Sequence, residues 1–200
     1  MEIISKYFMI VYFILVFGLA FALPTYRVWK TTGLNPYKLG NSDSAHDYVG
    51  RYFRLTLLTC AVVVLIFTFL PAVYKELLPI PLFLNPIVVW IGGSLLVLAL
   101  LWVLIAQSQM QKSWRIGIDE DIKTELVQRW LFTVSRNPIF LGMRVMLLGL
   151  FLVLPNAATL AILLAGEILI QVQVRLEEEF LTRMHGEAYL VYKRQVRRWI

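Results

Sequence analysis

Five apolar stretches divide the chain: residues 7–23, 55–70, 87–105, 139–154 and 157–174. Each is about 16–19 residues long, close to the span of a bilayer's hydrocarbon core. Such runs bind the chain to one solvent. A backbone in lipid must satisfy its own polar groups, and a continuous apolar segment does this as a helix. Composition agrees. Of 200 residues, 59% are hydrophobic and only 16% charged, with mean hydropathy +0.70. A soluble domain averages about 45–50% apolar and about 25% charged. The expected fold is all-α: a polytopic integral membrane protein of about five transmembrane helices with a cytoplasmic C-terminal helical extension. The first stretch is not expected to be a cleaved leader, because Pro24, Thr25, Tyr26 and Arg27 follow it without a small-residue cleavage site.

Lys and Arg set the orientation. Counted from the N-terminal tail through successive loops to the C-terminal tail, they number 1, 5, 1, 5, 0 and 6, and only Arg144 lies inside a stretch. This alternation predicts a multi-pass protein with its N-terminus outside and its C-terminus cytoplasmic, in the cytoplasmic (inner) membrane if the source is prokaryotic. In that setting the net charge of +6 reflects cytoplasmic loops and implies no nucleic-acid partner. One cysteine, Cys60, and two separated histidines, His46 and His185, leave no metal-ligand spacing, so no metal is expected.

A single membrane domain covers residues 1–200. Three spans occupy 1–112, and a candidate catalytic hairpin and tail occupy 113–200. Pro155 and Asn156 alone separate the last two spans, which predicts a tight helical hairpin. Gly142 and Gly149 on one arm, and Ala157, Ala161 and Ala165 on the other, would ease close packing. A turn at 155–156 sets Arg144 level with Glu167, predicting an intramembrane ion pair that either locks the hairpin or lines a polar cavity. Ionisable residues at such depth are costly and are candidate sites by default. Gln171 extends the stripe toward Arg175 and Glu178. The last helix should run on to a stop at His185-Gly186, carrying Glu177, Glu178 and Glu179 out of the membrane. Ser113, Trp114 and Arg115 could rim the site or anchor the chain at the interface.

The C-terminal half also carries an ordered pattern: Ser135-Arg136-Asn137-Pro138-Ile139-Phe140-Leu141-Gly142, a hydrophobic hairpin, Arg175-Leu-Glu-Glu-Glu-Phe-Leu181, His185-Gly-Glu-Ala-Tyr189, Tyr192 and Val196-Arg-Arg-Trp199. Over residues 113–200 this resembles the isoprenylcysteine carboxyl methyltransferases and their relatives the phospholipid methyltransferases. Their shared pattern is Arg-His-Pro-x-Tyr, a hairpin, Glu-Glu, Phe-Gly-x-x-Tyr-x-x-Tyr and a basic tail. Asn137 replaces the family's His, Phe140 its Tyr, His185 its Phe, and Trp130 a usual Gly, which marks a divergent, prokaryotic-type member.

The resemblance implies a methyltransferase that uses S-adenosyl-L-methionine and acts on a lipophilic or prenylated acceptor drawn from the membrane. Carboxyl methylation of an isoprenylcysteine-like substrate is the leading reading. It implies Arg136 and Glu178 as catalytic residues and Arg136, Asn137, Pro138, Phe140, Glu177, Glu178, Tyr189 and Tyr192 around the cofactor. Arg144, Glu167 and Gln171 would line the substrate cavity. No glycine-rich strand–turn–helix loop exists for a dinucleotide-type site. Carboxylates and aromatic faces suit a sulfonium cation. A second reading is an NADPH-dependent membrane reductase of the sterol or steroid type, and a third a non-enzymatic membrane protein.

Overall fold

The structure, a computed structural model, describes residues 2–33, 43–110 and 125–200. Among these there is no strand. Nine α-helices follow in order: α1 (Glu2–Leu15), α2 (Leu23–Thr32), α3 (Ala45–Phe69), α4 (Pro71–Lys75), α5 (Pro86–Met110), α6 (Leu131–Val134), α7 (Pro138–Val153), α8 (Ala157–His185) and α9 (Glu187–Gln195). A π-helical segment, Val16–Ala22, joins α1 to α2. Four helical stretches are long and apolar enough to cross a membrane: Ser5–Thr32, α3, α5 and α8. The fourth expected span is shorter. Its helix, α7, has 16 residues, or about 24 Å at 1.5 Å per residue, against a core of about 30 Å. Pro138 starts it at the first helical position and Pro155 follows its end, so proline bounds it on both sides. The 113–115 segment lies outside the described residues.

The first helical stretch runs past its apolar end at residue 23, through Pro24, to Gly33 in the left-handed conformation (φ 69°). The π-helical segment just before Pro24 accommodates the ring. The carbonyl of Ala20, whose α-helical partner would be the N–H that proline lacks, instead accepts a 2.8 Å hydrogen bond from Gln107 Nε2 on α5. One side chain thus satisfies a backbone group exposed by proline and ties the first helix to the third span.

The hairpin turn is closed by reciprocal capping. Asn156 Oδ1 accepts from Thr159 N at 2.9 Å, and Thr159 Oγ1 accepts from Asn156 N at 3.2 Å. The proline-rich connection before α5 docks on this turn. Ile80 N donates to Pro155 O at 2.9 Å, Ala157 N to Leu77 O at 3.0 Å, and Asn156 Nδ2 to Tyr74 Oη at 3.2 Å. One end of the bundle is therefore a self-satisfied polar cap.

The small residues act differently from expectation. Gly142 and Gly149 face α5 rather than α8. A Cβ at Gly149 would stand 3.0 Å from the carbonyl oxygen of Gly92, and one at Gly92 would stand 3.0 Å from that of Gly149. The closest helix pair is thus α5 with α7, made by two facing glycines. Ala157, Ala161 and Ala165 are exposed, and Gly166 meets Leu147 at the α7–α8 contact instead. Period alone places residues on a face without saying which neighbour that face meets. The core between α1, α3, α5 and α7 includes Met9, Val64, Leu96, Leu100, Val103 and Leu150.

Gly149→Val should lower stability by about 1–3 kcal/mol, because a Cβ there would stand 2.9 Å from Leu96 Cγ and 3.0 Å from the Gly92 carbonyl, which as backbone cannot turn aside. At Gly18 a Cβ meets nothing within 4 Å. Gly18→Ala should leave stability unchanged or raise it by about 0.4–1 kcal/mol. Thermal unfolding of both variants in detergent checks the pair.

Candidate functional site

At the opposite end from the capped turn, α8 outruns α7. Its 29 residues span about 43 Å. Into the step between them fold α9 and the segment after it. Gly186 (φ 56°) ends α8 and turns the chain back, as the His185-Gly186 stop anticipates. Tyr189 and Tyr192 face inward, 1% and 4% exposed, with ring centroids 5.9 Å apart at 61°. Tyr192 Oη donates to Phe132 O at 2.6 Å. Burial raises the pKa of Tyr189 and pushes that of Tyr192 up to about 12, so both stay phenols near neutral pH. They are the floor of the site rather than walls of an open cleft.

Above that floor lies Glu178, 3% exposed, with both carboxylate oxygens occupied. Arg136 donates to Oε1 through Nε at 3.3 Å and Nη2 at 3.0 Å, and Asn137 Nδ2 adds a bond of 3.1 Å. Arg198 closes as a fork, Nε to Oε1 at 3.1 Å and Nη2 to Oε2 at 2.9 Å. That bond raises the pKa of Arg198 further, so it stays cationic. Arg136 also donates through Nη1 to the carbonyls of Val196 (2.6 Å) and Lys193 (3.0 Å), and its backbone N–H donates to Arg197 O at 3.0 Å. Ser135, fully buried, donates through Oγ to Arg198 O at 3.1 Å. The segment after α9 is thereby seated across the start of α7.

Of the predicted residues, Arg136, Asn137 and Glu178 come together, with Tyr189 and Tyr192 beneath them. Pro138 opens α7, its carbonyl accepting from Trp102 Nε1 at 2.8 Å. Phe140 faces Phe53 of α3, centroids 6.5 Å apart. Glu177 stands apart. Its Oε1 accepts from Gln173 Nε2 at 3.1 Å, and the same nitrogen lies 3.2 Å from His46 Nδ1 of α3. Adjacent residues on a helix are turned about 100° from each other, so consecutive glutamates serve different neighbours. Arg144 and Glu167 do meet, Nε to Oε2 at 2.7 Å, and Gln171 Nε2 donates to Glu167 Oε1 at 2.8 Å.

Sequence reading did not single out Arg198 or Ser135. The signal for Arg198 was the basic pair before Trp199 in a chain whose nearby glutamates lacked an assigned partner. A cavity of about 360 Å³ borders the cluster, lined by Arg175, Glu178, Thr182, Lys193 and Arg198 among others; ligand pockets begin at about 300 Å³. Among the described residues, no group of three or more His, Cys, Asp or Glu could hold a metal ion.

This arrangement, a short helix and a longer one in a hairpin, with Arg-Asn-Pro at the start of the short arm bonded to a glutamate near the end of the long one, lies mostly within a matched family region. The family model for phospholipid methyltransferases matches residues 87–188. That is half of the chain, and the chain belongs to the phospholipid methyltransferase family, a family of membrane methyltransferases. No curated protein and no solved structure matches it.

Trp130 adds a local link to the family pattern. It stands where the resemblance places a glycine, with φ 54° and ψ −118°, a conformation that favours glycine. Trp130→Gly should therefore raise stability by about 1 kcal/mol. Glu178→Ala leaves Arg136, 8% exposed, without its counter-charge and should cost about 3–5 kcal/mol. Arg198→Ala, removing a group that is 31% exposed, should cost only about 1 kcal/mol. Chemical denaturation in micelles ranks the three.

Proposed function

We propose that the protein is an S-adenosylmethionine-dependent methyltransferase acting on a lipophilic acceptor at the cytoplasmic face of its membrane, with an isoprenylcysteine-like carboxylate as the first acceptor to test. The observation that carries this reading is the buried cluster of Arg136, Asn137, Glu178 and Arg198. Two guanidinium groups against one carboxylate leave a surplus of one positive charge, with Arg198 reaching the surface at 31% exposure. An amino-acid carboxylate would balance it. The residues fit the cofactor in size as well, since the adjoining 360 Å³ cavity falls in the range of cofactor pockets.

The cofactor, when bound, supplies a methyl group on a cationic sulfur. Arg198, which lines the cavity, would meet its carboxylate as a charge-assisted pair with Arg136 behind it, and Glu178 would lower the energy of the nearby positive charge. Asn137 keeps a hydrogen-bond donor on Glu178 where a histidine is usual, so it orients the carboxylate and moves no proton. Tyr189 and Tyr192 close the floor against water. Methyl transfer depends on alignment more than on acid–base power, which suits a site with no titrating histidine or phenol. The Lys and Arg residues gathered at this end favour its cytoplasmic placement.

S-adenosylhomocysteine should raise the melting temperature of the purified protein, and NADPH should not. A ligand at 100 times its Kd adds about 2.7 kcal/mol. A shift with NADPH alone would instead support the reductase reading. Labelled methyl transfer into membrane extracts should fall to background in Arg136→Ala and Glu178→Ala.

A further inference from the structure

A second charged cluster lies deeper in the hairpin. Arg144, seven residues into α7, is about 9 Å below that helix's start. It uses only its Nε–H on Glu167, at 2.7 Å. Among the described residues, its Nη1 and Nη2 donate to no acceptor. Glu167 is filled from its other side by Gln171 Nε2 at 2.8 Å, and Gln171 Oε1 accepts from Arg175 Nη1 at 2.9 Å. This ladder of Arg144, Glu167, Gln171 and Arg175 carries two positive charges and one negative. The guanidinium of Arg144 also lies over the ring of Trp199, 4.4 Å from its centroid.

These features fit a lock poorly. A lock would engage the guanidinium fork and be buried, whereas this pair makes one bond and its side chains are 30% and 36% exposed. The hairpin is already fixed at its other end by the Asn156–Thr159 cap. An arginine on an apolar helix is costly, and open N–H donors beside a surplus positive charge ask for an anion.

We propose that Arg144, with Trp199 as its aromatic wall, is the recognition site for an anionic headgroup on the acceptor, a carboxylate or a phosphate, whose apolar tail lies against the hairpin. The inference rests on the methyltransferase reading above. Trp199 directly follows Arg198, whose guanidinium is on Glu178, so a headgroup held by Arg144 would share a wall with the proposed cofactor site. Glu167 then has a positioning role: it aims the guanidinium through Nε and leaves both Nη groups free.

Two matched pairs of probes in non-ionic detergent test this. N-acetyl-S-farnesylcysteine is compared with its neutral methyl ester, and dihexanoyl phosphatidylglycerol with dihexanoylglycerol. One anionic probe should stabilise the protein against heat and its neutral partner should not; the pair that responds identifies carboxylate or phosphate. Arg144→Gln should weaken that binding at least tenfold while the S-adenosylhomocysteine shift stays in place. Arg144→Lys keeps the charge and the pairing but loses the fork, and should weaken it severalfold. If Arg144→Gln does not fold, Arg144→Lys decides alone. Equal binding of anionic and neutral probes, or undiminished binding in the variants, would overturn the proposal. Loss of the S-adenosylhomocysteine shift in the unaltered protein would instead remove the methyltransferase reading.

Discussion

The carboxylate of Glu178 is the point on which this end of the molecule depends. It receives donors from the start of α7, from the segment after α9, and from Asn137 between them. A buried carboxylate needs charged or hydrogen-bonding partners on both oxygens, and Glu178 draws four donors to Oε1 and one to Oε2. The cluster therefore specifies one arrangement of α7, α8 and α9. It also gathers scarce polar groups of a mostly apolar chain at one end of the hairpin.

The same accounting of polar groups shapes the rest of the bundle. Pro24 removes a backbone donor, and Gln107 supplies another to Ala20. The hairpin turn carries its own reciprocal cap and a docked connection. Where no polar demand exists, backbones approach closely, and Gly92 and Gly149 let α5 and α7 meet with no side chain between. Dispersion and interhelical bonds do the holding in lipid, where apolar burial gives no preference for one helix over another.

Positions along helices were legible in the sequence, and partners across helices were less so. Apolar run lengths and Pro155-Asn156 located the hairpin, and its symmetry put Arg144 level with Glu167, which the structure joins at 2.7 Å. The His185-Gly186 stop was legible because a left-handed residue has few alternatives to glycine. Four of the five apolar stretches lie in helices long enough to cross; α7 is short because proline bounds it on both sides. Which side Gly142 and Gly149 would face was not legible, since α5 and α8 flank α7 alike in an apolar pattern. The separation of Glu177 from Glu178 turned on where α3 lies, and the fork of Arg198 on Glu178 on the chain reversal that also brings the Arg198 carbonyl to Ser135, 63 residues away.

That long separation has a consequence for the order in which the molecule is made. Synthesis and insertion run from the N-terminus, so α1 to α8 can enter the membrane while residues 193–198 are still unmade. Until they emerge, Arg136 lacks the carbonyls of Lys193 and Val196, and Glu178 lacks the fork of Arg198. Contacts between residues 57 to 63 positions apart close slowly in any case. The membrane helices can thus assemble first, and Arg136 and Glu178 gain their last partners only when the end of the chain arrives.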